Sequence, residues 1–381
     1  MTRAYILLAA AAVPAQAAAR QVPEVSLARP EVRVEEPFSF IGGIVRLADG
    51  KVLITDYIDE TFQRLDPRTG RAEVFGRKGA GPGEYKGPDA LFPLGDGRVL
   101  LTDLGNGRLS IFEANGTYLR SMPIAQGSPA EGLTMVMPRG ADARGRLYFQ
   151  GNPRPGGGTD SAAVVRYDPA TSRSDTLGRI KPPDLRVTSS GGPNNRSMSA
   201  TPVPLSPEDV WAAAPDGRIV LVRSSDYRVE WLGADGRVVR GPANSWRPVP
   251  VREADKKEWL DLMATSGISM AVTNENGRIN MQFGRGMRGG REPDPSQYEW
   301  PQAKPAFRSV IVAANGDAWV ERHVPAGQPV AYDVFGADGR LKQRVTLPSQ
   351  RRVIGFAPGF AYVRHTVPED GLQYLEVYRI P

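Results

Sequence analysis

A short unit that recurs six times constrains the fold of this chain more than any other feature. Each copy is a tight turn ending in glycine, followed by a short strand of alternating apolar residues. The turn glycines are Gly50, Gly97, Gly145, Gly217, Gly316 and Gly359. Most of the turns read Asp-Gly or Asn-Gly, which favours a type I′ hairpin because both central positions tolerate positive φ. The Val-, Ile-, Leu- and Tyr-rich run after each turn is typical of a half-buried β-strand.

A second strand pair follows most copies, as in the segments that begin at Arg108, Val164, Arg228 and Tyr332. Together the two pairs make a four-stranded antiparallel meander, which is the blade of a β-propeller. Successive turn glycines lie 47, 48, 72, 99 and 43 residues apart. A blade of about 45 residues fits the propeller repeat, so the two long intervals hold insertions, at 181–207 and 248–305. We therefore predict an all-β fold, a six-bladed β-propeller of four-stranded antiparallel blades with one helix-containing insertion.

Ring closure can be predicted from the two ends of the repeat region. The last blade has strands near Val353, Phe360 and residues 374–380, and so lacks an outer strand. The alternating stretch that begins at Glu31 can supply it, which would cover an exposed sheet edge. A seventh blade around Asn276-Gly277 is the alternative, but no second strand pair follows that turn. The predicted propeller therefore spans 31–381, after a linker at 18–30.

The first 17 residues have the three parts of a secretory signal peptide in order. Arg3 supplies a positive charge, Ala4 to Val13 form an apolar run, and Ala15-Gln16-Ala17 fits the cleavage pattern. The apolar run is shorter than the roughly 20 residues that a membrane span needs. We expect export to the periplasm or the medium without membrane insertion. The chain has no cysteine, which excludes a Cys nucleophile, Cys-ligated metal and disulfides.

Basic residues are dispersed along the chain although the formal net charge is +6. The longest basic runs are pairs, such as Lys256-Lys257 and Arg351-Arg352. A nucleic-acid site would concentrate the basic residues on one element and interleave them with stacking aromatics. We therefore expect no nucleic-acid partner, and we expect a monomer.

The segment from Gly76 to Gly116 resembles an NHL-type repeat. Such repeats join a Gly-Pro-Gly-aromatic loop to Pro, an Asp-Gly turn, a strand ending in Asp and an Asn-x-Arg turn. The matching residues are Gly81, Pro82, Gly83, Tyr85, Pro88, Asp96, Gly97, Asp103, Asn106 and Arg108. The match is good over blades 1 and 2, partial in blade 4 and loose elsewhere. It implies similarity to the bacterial exported six-bladed propellers with NHL-like repeats and says little about chemistry.

The long loops are predicted to share one face of the propeller. Blade strands run A to D outward, so the B–C and D–A connections lie on the same side. Both insertions precede A strands, while 151–160 and 366–371 follow B strands. Residues 253–263 have a helical pattern with Trp259, Leu262 and Met263 on one apolar face. Loops on a rigid scaffold carry most binding sites, so we expect function on this face.

Candidate ligand-binding residues stand where the B strands end. The residue six positions after each turn glycine is Asp56, Asp103, Gly151, Arg223, Arg322 or His365. Asp56 and Asp103 follow the repeat and are expected to cap a turn through backbone N–H groups. Arg223, Arg322, His365 and the adjacent His323 depart from it and could bind a carboxylate or phosphate. Arg285 and Arg288 of the Gly- and Arg-rich segment 283–295 could add cations, although that segment could equally be a solvated loop.

We expect a binding scaffold rather than an enzyme, with a protein partner or an anionic small molecule as the ligand. No catalytic residues are predicted, because the chain has no G-x-S-x-G elbow, no P-loop and only two histidines. We predict no cofactor and no metal ligands. The alternative is a calcium-dependent lactonase- or esterase-type hydrolase, in which Asp, Asn and Glu from several blades hold the ion.

Overall fold

The computed structural model describes residues 22–381 apart from 129–131, 152–160, 191–196, 267, 276–277 and 286–293. Its backbone forms a six-bladed β-propeller, so the predicted fold is confirmed. In every blade the strands A, B, C and D are hydrogen-bonded in that order. Residues 1–17, where the sequence predicts a signal peptide, lie outside the described residues.

Blades 1 to 3 follow one another along the chain without a shared strand. Blade 1 comprises Ile41–Arg46, Val52–Asp56, Thr61–Leu65 and Ala72–Val74. Blade 2 comprises Pro88–Pro93, Val99–Asp103, Arg108–Phe112 and Tyr118–Pro123. Blade 3 comprises Pro138–Ala141, Leu147–Gln150, Ala162–Asp168 and Arg173–Ile180.

Blades 4 to 6 complete the ring, and blade 6 takes its outer strand from the N-terminal part of the chain. Blade 4 comprises Val210–Ala213, Ile219–Arg223, Arg228–Leu232 and Val238–Ala243. Blade 5 comprises Phe307–Val312, Ala318–Arg322, Val330–Phe335 and Leu341–Leu347. Blade 6 comprises Arg351–Ala357, Phe360–Thr366, Gln373–Arg379 and Val32–Arg33.

The predicted closure of the ring is confirmed by the pairing of the N-terminal strand. Val32 lies opposite Val377 and Arg33 opposite Glu376 in an antiparallel ladder. Residues 24–26, inside the segment expected to be a linker, pair in parallel with strand D of blade 5. The N-terminal segment therefore covers the outer edges of two adjacent blades.

Extra elements occupy the connections between D strands and the following A strands. A short parallel pair, Arg77–Lys78 with Glu84–Tyr85, precedes blade 2, and a hairpin, Ala125–Ser128 with Gly132–Met135, precedes blade 3. The hairpin Leu185–Ser190 with Ser197–Pro202 lies before blade 4.

The largest insertion lies before blade 5. It contains helix α1 (Glu253–Ser266), the hairpin Ile268–Glu275 with Arg278–Arg285, and the pair Val249–Pro250 with Ala303–Lys304. It also includes a 3-10 turn at Pro295–Gln297. The hairpin around 276–277 is a two-stranded sheet, as expected if it is not a seventh blade. Within the described residues no helix is long and apolar enough to cross a membrane.

The core consists of six apolar clusters, each between two neighbouring blades. Between blades 1 and 2, for example, the rings of Phe62 and Phe112 meet edge to face at 5.9 Å. Ile54 and Tyr362 belong to the cluster between blades 1 and 6, where the ring closes. Because both faces of each blade are buried, the B strands are apolar along most of their length.

The turn chemistry differs from the prediction at most repeats. A type I′ turn needs positive φ at both central residues, and only the Asp96–Gly97 turn has it. At Gly50, Gly217 and Gly316 the glycine alone has positive φ, the pattern of a type I turn followed by a left-handed residue. There the preceding Asp or Asn instead accepts a hydrogen bond from the backbone N–H two residues on, as Asp49 does from Lys51 at 3.1 Å.

Candidate functional site

A cavity of about 340 Å³ lies on the loop-rich face, between the connections that precede blades 4 and 5 and the inner strands of blades 5 and 6. One wall is apolar and includes Trp259, Leu262 and Met263, the predicted apolar face of α1. Phe307, at the start of strand A of blade 5, adds to this wall. The other wall is charged, and its members are Glu208, Asp255, Glu258, Lys304, Arg308, Glu321, Arg322, His323 and Arg352.

Helix α1 is anchored to the rim of the propeller by Asp255. The carboxylate of Asp255, 2% exposed, is 2.6 Å from Nζ of Lys304 and accepts the backbone N–H groups of Arg252 and Ala326, each at 2.8 Å. Burial by itself raises the pKa of Asp255, but the hydrogen bonds from Lys304 and the two N–H groups outweigh it and lower the pKa. One turn further along α1, Trp259 packs against Trp300 with ring centroids 5.6 Å apart. The helix is therefore fixed over the cavity by one buried ion pair and one aromatic contact.

Arg308 reaches the cavity from an irregular position in an inner strand. The register of strand A in blade 5 shifts between Phe307 and Ser309, which leaves Arg308 as an extra residue in the ladder. Such bulges redirect a side chain and are common next to functional sites. The closest carboxylate oxygen, on Glu321, is 3.9 Å from Nη1 of Arg308, too far for a hydrogen bond. Burial, and then the neighbouring charge of Arg352, lower the pKa of Arg308.

Arg352 is held by two carboxylates from different parts of the molecule. Its Nε donates to Glu321 at 3.0 Å and its Nη2 donates to Glu258 of α1 at 2.9 Å. Burial by itself lowers the pKa of Arg352, but the charges of Glu321 and Glu258 outweigh it and raise the pKa. Burial would likewise raise the pKa of Glu321, and the charges of Arg308 and Arg352 lower it instead. These shifts favour the charged forms of both Arg352 and Glu321 at neutral pH.

His323 is the neutral member of the charged wall. Burial, followed by the positive charges of Arg308 and Lys304, lowers the pKa of His323 to about 3. No described side chain or backbone group forms a hydrogen bond with its imidazole ring, while its backbone N–H donates to Ala306. A neutral imidazole that lines the cavity can donate one hydrogen bond to a ligand and accept another.

Glu208 and Arg139 are two further groups of opposite charge, and the charge of each offsets part of the effect of burial on the other's pKa. Glu208 lines the cavity, and burial raises its pKa against the opposing charges of Arg139 and Lys181. Arg139 is the extra residue of strand A in blade 3, where the register shifts between Pro138 and Gly140. It therefore occupies in blade 3 the irregular position that Arg308 occupies in blade 5.

Two of the six predicted ligand-binding residues, Arg322 and His323, line the cavity. Nε of Arg322 is 3.8 Å from Asp333, a carboxylate that also accepts hydrogen bonds from Tyr227 at 2.6 Å and Arg344 at 3.3 Å. Arg322 therefore already has an anionic neighbour inside blade 5, whereas the ring of His323 has no hydrogen-bond partner among the described residues.

Two of the other four predicted residues, Arg223 and His365, do not line the cavity. Arg223 donates to Glu230 at 2.9 Å, to Asp209 at 3.0 Å and to the carbonyl of Arg179 at 2.8 Å, so it joins strands of blades 3 and 4. Nδ1 of His365 is 3.3 Å from Glu376 inside blade 6. Arg285 is the last residue of the insertion hairpin, and Arg288 lies outside the described residues.

Asp56 and Asp103 are turn caps, as the sequence predicts. Asp56 accepts hydrogen bonds from the backbone N–H groups of Ser39, Phe40, Ile58 and Asp59 at 2.6–3.1 Å. Asp103 accepts from the N–H of Lys86 at 2.8 Å and from the side chains of Asn106 and Arg108. These residues tie the B–C turns of blades 1 and 2 to the preceding connection.

Sequence reasoning missed Arg308, Arg352, Glu321, Glu258, Lys304 and Glu208. Most of these lie at or just before the start of an A strand, whereas the prediction compared the ends of the B strands. A comparison of the first residues of the A strands would have shown arginine at both Arg308 and Arg352. The bulge that exposes Arg308 to the cavity has no sequence signal of this kind. Among the described residues no three His, Asp or Glu side chains converge as a metal site would require, and the calcium alternative stays a prediction.

Comparison with known proteins supports the fold and leaves the activity open. No family model matches the chain. The large tegument protein deneddylase of human herpesvirus 2 is 27% identical over 248 residues, which is 62% of this chain but 7% of that protein. The chain thus spans a small part of that relative. Among solved structures, a DUF4221 family member from Bacteroides vulgatus aligns over 92% of this chain and 95% of its own, with 10% identity and a TM-score of 0.51. A gluconolactonase of Xanthomonas campestris aligns over 94% and 95%, with 11% identity and a TM-score of 0.42.

Proposed function

We propose that this propeller is a binding protein whose cavity takes a small organic anion with an apolar body. The observation that carries the proposal is Arg308, whose guanidinium lines the cavity without a hydrogen bond to any described residue. The Arg308 side chain is 22% exposed and burial lowers its pKa, so its guanidinium is partly removed from bulk water without an acceptor in exchange, which is costly. An acid group of a ligand would supply the missing acceptors, because guanidinium and carboxylate geometries match in bidentate pairs.

The shape of the cavity favours a small molecule over a flat protein surface. A volume of about 340 Å³ lies within the range of roughly 300–1,000 Å³ that is usual for ligand pockets. The wall of Trp259, Leu262 and Phe307 would bury an apolar or aromatic body. Arg308, Arg352 and His323 would orient the acid group at the other end. The predicted signal peptide suggests that this binding occurs in the periplasm or outside the cell.

A thermal-shift titration with aromatic and aliphatic carboxylates and phosphates tests the proposal. A ligand of the native state raises the melting temperature as its concentration rises. Arg308→Met retains most of the side-chain volume and removes the charge, and we expect it to abolish the shift. The matched control is Arg237→Met, because Arg237 is 88% exposed on an outer turn, and it should respond like the wild type.

Two results would contradict the proposal. If Arg308→Met gives the same shift as the wild type, the anion binds elsewhere. If no anion in the panel changes the melting temperature of the wild type, the loop-rich face is better explained by a protein partner.

A further inference from the structure

Three guanidinium groups crowd the inner strands of blades 5 and 6. Arg352 and Arg364 lie directly opposite each other in the A–B ladder of blade 6, and Arg308 comes from blade 5. Like charges at directly opposed ladder positions destabilise a sheet. Burial, and then the charges of Arg352 and Arg308, lower the pKa of Arg364 to about 10, so that it is still protonated at neutral pH. Such an arrangement is unfavourable unless something anionic offsets it.

Arg364 is the least compensated of the three. No described carboxylate forms an ion pair with Arg364. Its guanidinium carbon lies over the ring of Phe40, 6.0 Å from the ring centroid. Arg308 has the single distant contact with Glu321, and Arg352 has Glu321 and Glu258. Three positive charges therefore face two negative ones.

The carboxylates of Glu321 and Glu258 differ in their burial and in the number of contacts that hold them in place. Glu321 is part of strand B of blade 5, is 6% exposed, and accepts a hydrogen bond from Ser309. Glu258 is on α1, outside the propeller, and its side chain is 32% exposed. Its contacts with a described cation are Arg352 at 2.9 Å and Lys304 at 4.0 Å. Glu258 can leave the cluster by a change of rotamer or a small movement of α1, whereas Glu321 cannot.

We infer that the ligand of the cavity is a dianion of the phosphomonoester class, and that the Glu258 carboxylate occupies its anionic position on Arg352 when the ligand is absent. The inference rests on the proposed function and adds the charge of the ligand. A monoanion that replaces Glu258 leaves the three arginines undercompensated as before. A dianion that replaces Glu258 brings two charges beside the one on Glu321 and balances all three. The oxygens of a phosphoryl group can also accept from Arg308 and Arg352 together.

Phenyl phosphate and phenyl sulfate form a matched pair of probes for this inference. They have nearly the same size, and at about pH 7.5 the phosphate ester is a dianion because its second pKa is about 6. Calorimetric titration should show phenyl phosphate binding about ten-fold more tightly than phenyl sulfate to the wild type. Glu258→Gln removes the internal competitor and should raise the affinity for phenyl phosphate about three-fold or more. Glu253→Gln, on the same helix but paired with Lys256, is the control and should change neither affinity.

A third variant tests the contribution of Arg364. Because Arg364 has no described carboxylate partner, Arg364→Met leaves no acid unpaired and should fold, which circular dichroism can check. The variant should bind phenyl phosphate about three-fold or more weakly than the wild type, and its affinity for phenyl sulfate should be nearly unchanged.

The outcomes separate this inference from the proposed function. Equal affinities of the wild type for both esters would overturn the inference that the ligand is a dianion, but not the proposal that the cavity binds an anion. If Glu258→Gln binds phenyl phosphate as tightly as the wild type or more weakly, the inference that the ligand displaces Glu258 is wrong. If neither ester binds to the folded wild type, and the carboxylates of the earlier panel also fail, the proposed function falls and this inference with it.

Discussion

Arginines near the strand ends on the loop-rich face of this propeller have two different environments. Arg223 ends a B strand and makes hydrogen bonds to Glu230, Asp209 and the carbonyl of Arg179. Arg308 enters an A strand at a bulge and makes none to a described residue. Because Arg223 already donates to three acceptors and Arg308 donates to none that is described, we assign Arg223 to the scaffold and Arg308 to the site.

Replacement of Arg223 should therefore destabilise the fold without a direct effect on ligand binding. Arg223→Met leaves the mostly buried carboxylates of Asp209 and Glu230 with fewer partners. We expect a loss of about 2 kcal/mol in the free energy of unfolding, since removal of one partner of a buried ion pair costs more than this and Arg223 is partly exposed. Urea unfolding measures the loss, with Arg237→Met as an exposed control. A loss no larger than that of the control would show that the ion pairs around Arg223 contribute little.

His323 should make the protein sensitive to acid. Its pKa falls to about 3 in the folded state, against about 6.5 in an unfolded chain. Between these values the unfolded state binds a proton that the folded state does not, so stability decreases as the pH falls through this window. We expect His323→Gln to show a smaller fall in melting temperature than the wild type between about pH 6.5 and pH 4.

The two histidines of the chain allow a direct check of that pKa. In His365→Gln the one remaining imidazole signal in an NMR titration belongs to His323. It should keep the chemical shift of the neutral ring down to about pH 4. A midpoint near the ordinary value of about 6.5 would mean that the ring is well solvated and would remove the physical basis for the acid sensitivity.

At the scale of elements, the α1 insertion decides whether the cavity exists. The propeller supplies Arg308, Glu321 and Arg352 of the charged wall. Helix α1 supplies Asp255 and Glu258 to that wall, and most of the apolar wall through Trp259, Leu262 and Met263. The helix has few contacts with the blades apart from Asp255, Glu258 and the side chains of the cavity. Its attachment is therefore local and can be altered without damage to the ring.

Asp255→Asn should loosen α1 while the propeller remains folded. The change removes the charge that pairs with Lys304, which is 5% exposed, and leaves that ammonium without its closest partner. Hydrogen exchange should become faster in residues 253–266 and stay unchanged in the B strands. Lys257→Gln, on the solvent side of the same helix and 71% exposed, is the control. Uniformly faster exchange over all blades would instead mean that α1 is part of the global folding unit.

The blades could be predicted from the sequence because local residues specify them. The site could be predicted only in part because it depends on contacts between distant segments. Each blade is specified locally by a turn at residues such as Asp49-Gly50 and by the apolar alternation of the strands beside it. The site depends on which residues from blade 5, blade 6 and α1 meet, as Arg308, Arg352 and Glu258 do, and no spacing along the chain encodes that. The repeat aligns the ends of the B strands, where the departure of Arg223 from the repeat reflects its ion pairs with Asp209 and Glu230 and not a ligand site.

For the whole molecule, stability depends on how the ring is closed. Each apolar cluster needs two neighbouring blades, so the cluster between blades 6 and 1 forms only when both ends of the chain are in place. The N-terminal strand Val32–Arg33 covers the edge of Gln373–Arg379, and Val34 beside it is 1% exposed. An uncovered edge strand is a template for pairing with another chain. The expectation of a monomer thus rests on this strand.

Removal of that strand should both destabilise the protein and promote self-association. A chain that begins at residue 30 loses the parallel strand Glu24–Ser26 and the buried Leu27, and a chain that begins at residue 37 loses Val32–Arg33 and the buried Val34 as well. We expect the shorter chain to lose about 3 kcal/mol or more of unfolding free energy relative to the longer one, from lost apolar burial and ladder hydrogen bonds. Gel filtration should show dimers or larger species for the shorter chain alone, formed through the bare edge of Gln373–Arg379. If both chains melt together and elute as monomers, the N-terminal strand is a peripheral addition, and the ring must be held closed by the packing of blade 6 against blade 1.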